Sequence, residues 1–299
     1  GARPLALVAG AGAQGLACGL RLWERGWDVL ICADGWLSQT TSAGAGAIWE
    51  YPPFEVQPQA EAQRWVLESL PCFAAALAAA GPARSGVRIG RSYYCFRSRA
   101  NAEERYGPIA AWSADVPFFQ EGAPPAGLVR EATFEYCFSY AAPVINMRRY
   151  LDWLTESLGA LPGVRLQQRH LAGPADVAVL AANSGADVVV NCLGLGAGAV
   201  FGDAAVHAVR GDLVYVLAPG AAARHGLAHV SDEDAPSGLL TYAVPQGEGV
   251  VALAGTLRPL GAEELEDGYS VREDAVRDGE VAASIAARVA AAFPGAVLP

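Results

Sequence analysis

Two rhythms of apolar and polar positions alternate along this chain. An apolar run over Leu5–Ala9 gives way to glycines, then to helical spacing over 16–26, then to a second apolar run over 27–33 that ends at Asp34. Strand, helix and strand in that order predict a parallel βαβ unit. Further on, 61–80 reads as a helix with a turn or kink at Pro71, because a proline has no backbone N–H to give the helix. Segments 92–97 and 133–140 read as strands. Asn146 is placed to cap a helix over 147–159, in which Tyr150, Leu151, Leu154 and Leu158 fall at helical spacing, and 164–173 reads as a strand. The run 186–196 is nearly all apolar and ends in glycines, which fits a strand buried on both faces of a parallel sheet. Segments 212–217, 238–244 and 249–256 read as strands of a separate antiparallel sheet, and 272–293 as the last helix. The segments 36–56, 100–130 and 220–234 read as loops.

The first unit carries chemistry. Gly10, Gly12 and Gly15 form a G-x-G-x-x-G between the first strand and the helix, with Gln14 inside it. The first glycine permits a tight turn, the second lets the backbone approach a pyrophosphate, and the third lets the helix pack close to the sheet. Phosphates then sit at the helix N-terminus, where unpaired N–H groups and the helix dipole favour negative charge. Asp34 follows the last glycine by about 20 residues, where a ribose-binding carboxylate belongs. Together these predict an α/β fold: a Rossmann-like dinucleotide domain with a mostly parallel sheet, interrupted by an α+β domain with an antiparallel or mixed sheet.

Composition narrows the function. With 299 residues, 53% of them hydrophobic and 17% charged, the chain has ample material for a core and about two domains. A net charge of −10 and a pI near 4.9 argue against nucleic acid and anionic membranes as partners. No uninterrupted apolar run reaches the length of a spanning helix. The chain starts almost directly on a strand without Met, so no signal peptide is expected in it, and processing, a tag remnant or a fragment would explain the start. All 21 basic residues are arginine, which excludes P-loop and Schiff-base lysine chemistry. Cys18, Cys32, Cys72, Cys95, Cys137 and Cys192 form no C-x-x-C pair and read as reduced, small apolar residues of an intracellular protein. His225 and His229 have only a weak metal-ligand spacing, and no metal is expected.

Several segments, in order over nearly the whole chain, resemble the D-amino-acid oxidase family of flavoenzymes. Thr40-Thr41-Ser42-Ala43-Gly44-Ala45-Gly46 through Trp49 is similar to the loop that lies along the flavin in that family. Phe138-Ser139-Tyr140, Val144-Ile145-Asn146 and Tyr150-Leu151-Asp152-Trp153-Leu154 resemble its strand and YLxWL helix. Ala186–Gly194 followed by Ala197-Gly198-Ala199, and Arg210-Gly211-Asp212, resemble two later segments. Tyr242 falls where the family has an active-site tyrosine. The resemblance implies FAD as cofactor, held by Gly10, Gly12, Gln14, Gly15, Asp34, Thr40, Thr41, Ser42, Gly44, Ala45, Gly46, Leu171 and Gly194. It implies an FAD-binding domain over 1–53, 142–202 and 283–299, and a substrate domain over 54–141 and 203–282. The hydroxyls of Thr40, Thr41 and Ser42 suit phosphate and ring oxygens, and Gly44 and Gly46 suit a close backbone approach to the flavin.

The implied reaction is oxidative deamination of a D-amino acid by oxygen, with hydride passing from the Cα–H to the flavin. Imino acid, then keto acid and ammonia, and hydrogen peroxide result. Tyr242 would hold the substrate carboxylate, and no His or Glu stands out near it as a base. D-aspartate-selective relatives place an arginine where this register puts Leu257. Arg258, its neighbour, would then point away, so neutral D-amino acids are expected, and a one-residue slip would reverse that. Family members also carry a carboxylate-binding arginine in an RP-x-R segment and a glycine-rich flavin loop. The sequence ends at Leu298-Pro299 before both, as a fragment of a longer protein would. Gly238 stands where mammalian relatives have a second tyrosine. Alternatives are an NAD(P)-dependent dehydrogenase, since Asp34 suits an NAD ribose equally well, and an inactive flavin-binding relative. A homodimer and a cytoplasmic or peroxisomal location are further expectations.

Overall fold

The computed structural model describes residues 2–53, 56–130, 133–218, 226–235, 239–260 and 279–297. In chain order its elements are β1 (Leu5–Ala9), α1 (Ala13–Glu24), β2 (Asp28–Ala33), β3 (Gly46–Ile48), α2 (Gln59–Ser85), β4 (Val87–Phe96), α3 (Arg99–Tyr106), α4 (Ile109–Trp112) and β5 (Gln120–Glu121). Then follow β6 (Tyr136–Asn146), α5 (Met147–Gly159), β7 (Val164–Gln168), α6 (Pro174–Ser184), β8 (Val188–Asn191), α7 (Gly196–Phe201) and β9 (Val209–Arg210). The chain closes with β10 (Leu213–Leu217), β11 (Leu227–Asp232), β12 (Leu239–Gly247), β13 (Val250–Thr256), β14 (Arg258–Pro259), α8 (Gly279–Ala292) and α9 (Pro294–Val297). Contacts divide it into two compact units: Gly1–Ala45 with Met147–Val209 and Pro259–Glu273, and Gly46–Asn146 with Arg210–Arg258 and Asp274–Pro299.

The first unit holds a parallel sheet of order β7-β2-β1-β8. Ala6, Leu7, Val8 and Ala9 of the central β1 are wholly buried, as a strand covered on both faces requires. Leu7, Leu30, Leu171, Val177, Leu180 and Val200 form the core beside it. β8 departs from expectation: it closes the strand order, and Val188 and Val189 are 37% and 39% exposed. An apolar run marks strand character, not whether the strand ends a sheet. From α5, Met147, Leu151, Leu154 and Leu158 are buried, one turn apart on one face.

The second unit is built on a mixed sheet of order β10-β13-β12-β11-β4-β6-β3, in which only β11 and β4 pair in parallel along that path. Four sequence expectations change here. The segment 227–232, expected in a loop, is a full strand between β12 and β4. The stretch 100–130 is not all irregular, since Ser98 accepts a hydrogen bond from the Asn101 N–H (3.2 Å) and starts α3. Helix α2 passes through Pro71, and its break falls at Gly81, whose φ of 69° only glycine adopts readily. Finally, Ile285 and Val289 of α8, with Phe293 just beyond it, share one core with Val251 and Leu253, so 283–297 falls in this compact unit and not with the dinucleotide unit. By length and composition alone α2 reaches the range of a membrane-crossing helix, while Val66, Leu67, Leu70 and Phe73 from it pack on the aromatic cluster of the sheet.

Candidate functional site

The strand order of the first unit reverses at β1, whose neighbours β2 and β8 lie on opposite sides, and ligands of open α/β sheets bind at the carboxyl end of such a point. The glycine turn stands there. Gly10 has φ +114° and bonds the Cys32 carbonyl at 2.7 Å, and a Cβ on it would lie 2.1 Å from the Cys192 oxygen. A Cβ on Gly15 would lie 1.9 Å from the Gly10 oxygen. Gly12 is the N-cap of α1, with no side-chain cap of its own and no acidic residue in the first turn, so no negative charge from that turn offsets the positive end of the helix. Gln14 is exposed in that turn. Asp34 follows β2 with its side chain 74% exposed, and His170 Nδ1 lies 3.0 Å from its Oδ2, a partner the sequence did not suggest.

The flavin-loop residues divide. The Thr40 hydroxyl donates to the Leu37 carbonyl (2.8 Å), and Thr41 is exposed at the start of a single turn of 3-10 helix over Thr41–Gly44. Ser42 Oγ accepts from the Ala13 N–H at 3.1 Å, which ties the loop to the glycine turn. Gly44 ends the turn and Ala45 is exposed, whereas Gly46 opens β3 in the second unit. Leu171 is buried in the sheet core, leaving its backbone as what it can offer a ligand. Gly194 has φ +57° with open space where a Cβ would stand. Close-packed glycines, a helix start with no acid in its first turn and an exposed carboxylate at the end of β2 fit a dinucleotide.

On the second unit the named residue is Tyr242, set on β12 opposite Ser231 of β11. Burial and then the nearby Glu50 carboxylate push its pKa up to about 12, so the hydroxyl stays a donor. Its ring lies 5.7 Å from His229, and His229 lies 5.2 Å from Tyr94. The Tyr140 hydroxyl donates to the Tyr94 hydroxyl at 2.7 Å and accepts from the Tyr51 N–H at 3.1 Å. Tyr106 donates to Glu50 Oε1 at 2.5 Å, and Arg105 pairs with Glu233 at 2.8 Å. Burial holds the Glu233 carboxyl above its usual range and lowers His229 to about 3, so the imidazole is neutral. No His or Glu was expected to stand out near Tyr242 as a base; His229 does pack against it from the strand read as a loop, with a weakly basic ring, and the Glu50 carboxylate, far earlier in the chain, acts on it electrostatically.

Other expectations resolve unevenly. Trp49 is core: it is 4% exposed, and its indole N–H donates to the Val66 carbonyl at 2.8 Å. β13 ends at Thr256 and Arg258 opens the separate short strand β14 paired with β9, so the alternation of β13 that would point Arg258 away from Leu257 reaches neither, and both are exposed. Gly238 and His225 lie outside the described residues. All six cysteines are free, Cys95 faces Cys137 across β4 and β6, and no metal-ligand cluster occurs among the described residues. Cavities of about 370, 650 and 430 Å³ within the units are lined by none of the expected site residues.

The comparisons with known proteins bear on the family and the fold. A sequence model of the DAO family, described as FAD dependent oxidoreductase, matches residues 6–298. The D-amino-acid oxidase of Streptomyces coelicolor is 34% identical over 291 residues, 96% of this chain and 77% of that protein. The D-amino-acid oxidase of Rubrobacter xylanophilus is 33% identical over 258 residues, 84% of this chain and 69% of that protein. Among solved structures, glycine oxidase from Geobacillus kaustophilus shares the fold with a TM-score of 0.68 at 19% identity, covering 97% of this chain and 78% of that one. L-amino acid deaminase from Proteus vulgaris does so with a TM-score of 0.67 at 12% identity, covering 99% and 80%. The cofactor is FAD, and the NAD(P) alternative falls away. The chain belongs to the DAO family of FAD-dependent oxidoreductases.

Proposed function

We propose that the protein oxidises D-amino acids with neutral side chains, using FAD, to imino acids that hydrolyse to keto acids and ammonia. The observation that carries this reading is the likeness to two D-amino-acid oxidases at 33–34% identity over most of the chain. A bound flavin would supply the two-electron acceptor for the Cα hydrogen and its electron pair, and oxygen would take those electrons on to leave as hydrogen peroxide. Every other task falls to the chain. Gly10 and Gly15 shape the turn and its packing so that the backbone at Gly12 and the start of α1 can meet the pyrophosphate, and Asp34 accepts from ribose hydroxyls. Thr41, Ser42, Gly44, Ala45, Gly46, Leu171 and Gly194 supply further contacts. Tyr242 donates its hydroxyl to the substrate carboxylate, and a pKa of about 12 keeps that proton in place across any working pH. With its pKa lowered to about 3, the His229 imidazole is too weak a base to take a proton, and the catalytic task left to the protein is positioning.

The test is the visible spectrum of the purified flavoprotein, followed anaerobically after D-alanine is added. Bleaching of the flavin by D-alanine and not by L-alanine is expected. A flavin spectrum that persists with a panel of neutral D-amino acids would overturn the reading, and bleaching by L-alanine alone would reverse its stereochemistry.

A further inference from the structure

We propose that Cys137 and Cys95 form a peroxide-reactive dithiol, in which Cys137 attacks hydrogen peroxide and Cys95 closes the product to a cross-strand disulfide. The two cysteines stand directly opposite each other on the antiparallel strands β4 and β6, so their side chains leave the same face of the sheet. Opposed residues of such a pair have Cα atoms about 4.5–5.5 Å apart, inside the range of about 4.4–6.8 Å that a disulfide spans. The strands therefore already hold the separation that the bond needs. Both thiols are free, and both lie in one core with Val230, Leu253 and Phe293.

Of the two, Cys137 has the way in. It forms part of the wall of a cavity of about 650 Å³, bounded also by Gly127, Arg130 and Tyr136. It is 4% exposed, against 0% for Cys95. A water molecule takes up about 30 Å³ in the liquid, and hydrogen peroxide is larger by one oxygen, so the cavity admits it. The chemistry of the pair divides the same way. A hydrogen bond from the Cys95 thiol holds the Cys137 pKa below its usual value in spite of burial, and the Phe96 backbone N–H adds to this. Donating to Cys137, and then burial, push the Cys95 thiol up, with the Glu233 and Asp232 carboxylates acting in the same sense. Burial pushes Cys32 up as well, and Cys192 to about 12. The thiolate is the nucleophile, which makes Cys137 the attacking sulfur and Cys95 the resolving one.

In the first step the Cys137 sulfur attacks one peroxide oxygen, the O–O bond breaks, and the hydroxide that leaves takes up the thiol proton as water. Cys137 is then a sulfenic acid. In the second step the Cys95 sulfur displaces that hydroxyl, which leaves as water with the Cys95 proton. Two thiols give up two protons and two electrons, and one peroxide becomes two waters. The neighbours Tyr94, Phe96 and Phe138 alternate to the other face and pack in the aromatic core there. Oxidation therefore marks the protein without removing a group from the tyrosine cluster. The site does not rest on the oxidase reading, because the peroxide is supplied from outside in the test.

The experiment adds hydrogen peroxide in small excess to the reduced, FAD-loaded protein, stops it with catalase, blocks the remaining thiols with iodoacetamide and maps the tryptic peptides. Trypsin cuts after arginine, so Cys95 and Cys137 fall in separate peptides, 92–97 and 131–148. These should appear joined, lighter than their sum by two hydrogens, and should separate with dithiothreitol. Both peptides recovered alkylated and unjoined would overturn the dithiol. Cys95→Ser keeps a hydroxyl to donate to Cys137 and cannot form the bond, so dimedone should trap the sulfenic acid on Cys137. In Cys137→Ser, dimedone label on Cys95 should be about tenfold lower. Equal labelling in the two variants would overturn the assigned roles. Should either variant fail to fold, the joined peptides of the wild type decide the proposal alone.

Discussion

At the glycine turn of the first unit the candidate binding surface is bare backbone, while on the large sheet of the second unit the candidate site is a set of largely buried polar side chains. Around Gly10 and Gly15 there is no room for one further carbon, 2.1 and 1.9 Å from neighbouring carbonyl oxygens. Against Tyr242 stands His229, and beyond it Tyr94, Tyr106, Tyr140 and Glu233 are polar groups that stay buried because they satisfy one another or remain uncharged, with Tyr106 also donating to the partly buried Glu50. A backbone surface is indifferent to everything except shape and the direction of its N–H groups, which suits a cofactor shared by many proteins. A side-chain surface carries charge and hydrogen-bond polarity at chosen points, which suits discrimination among substrates. The two regions should therefore fail differently when perturbed.

The largest effect is expected at the turn. Gly10→Ala forces a Cβ against the Cys192 carbonyl and asks alanine to adopt φ +114°. Overpacking and backbone strain together should cost about 3 kcal/mol of stability. Urea unfolding of the apoprotein measures the loss, and flavin retained through gel filtration measures the site. A variant as stable as the wild type would mean that the backbone of the turn is free to move, and the contrast between the regions would collapse.

Next comes a pH effect confined to the second unit. Burial lowers the His229 pKa from 6.5 to about 3. Above pH 6.5 the ring is neutral in both states and contributes nothing to the pH dependence. As pH falls below that, the unfolded chain takes up a proton that the folded protein refuses, so stability is lost. At pH 5 the loss is about 2 kcal/mol. In His229→Gln this part of the slope should vanish, which denaturant titrations at pH 7.5 and pH 5 would reveal. Equal slopes in variant and wild type would place a proton on the buried imidazole.

The same contrast governs what a reader of the sequence can see. The turn, its helix and Asp34 lie within one short stretch, and each residue type there has a local reason, so the site reads off directly. The cluster around Tyr242 is gathered from residues 50, 94, 106, 140, 229, 233 and 242, and no local pattern links them. His229 was hidden because the glycines and charges around β11 look like a loop, and its strand character comes from lying between β12 and β4. Pro71 promised a kink that the chain makes at Gly81, because proline removes a donor whereas glycine frees φ. The exposure of β8 was equally out of reach, since position in a sheet is a property of the whole fold.

Asp34 sharpens the comparison from the cofactor side. Its carboxylate is mostly exposed, so Asp34→Ala should leave apoprotein stability within about 0.5 kcal/mol. FAD affinity should fall about tenfold, the scale of a hydrogen bond to a charged acceptor. Unchanged flavin retention would remove Asp34 from the site and leave the helix start as the main anchor.

The smallest effect is predicted for Tyr242, and it separates the regions most cleanly. Tyr242→Phe keeps the ring against His229 and removes only the hydroxyl. One lost hydrogen bond to a substrate carboxylate costs about 1 kcal/mol, or roughly a fivefold rise in KM. Because that bond is made alike in the ground and transition states, kcat should change little. Since the hydroxyl holds its proton up to about pH 12, the wild-type pH profile should show no limb from this group between neutrality and pH 10, and the variant should have the same profile. A fall in kcat with KM unchanged would assign Tyr242 to the reacting atoms instead of the carboxylate. A change in neither would put it outside the site, and the second unit would then keep its polar cluster for stability alone.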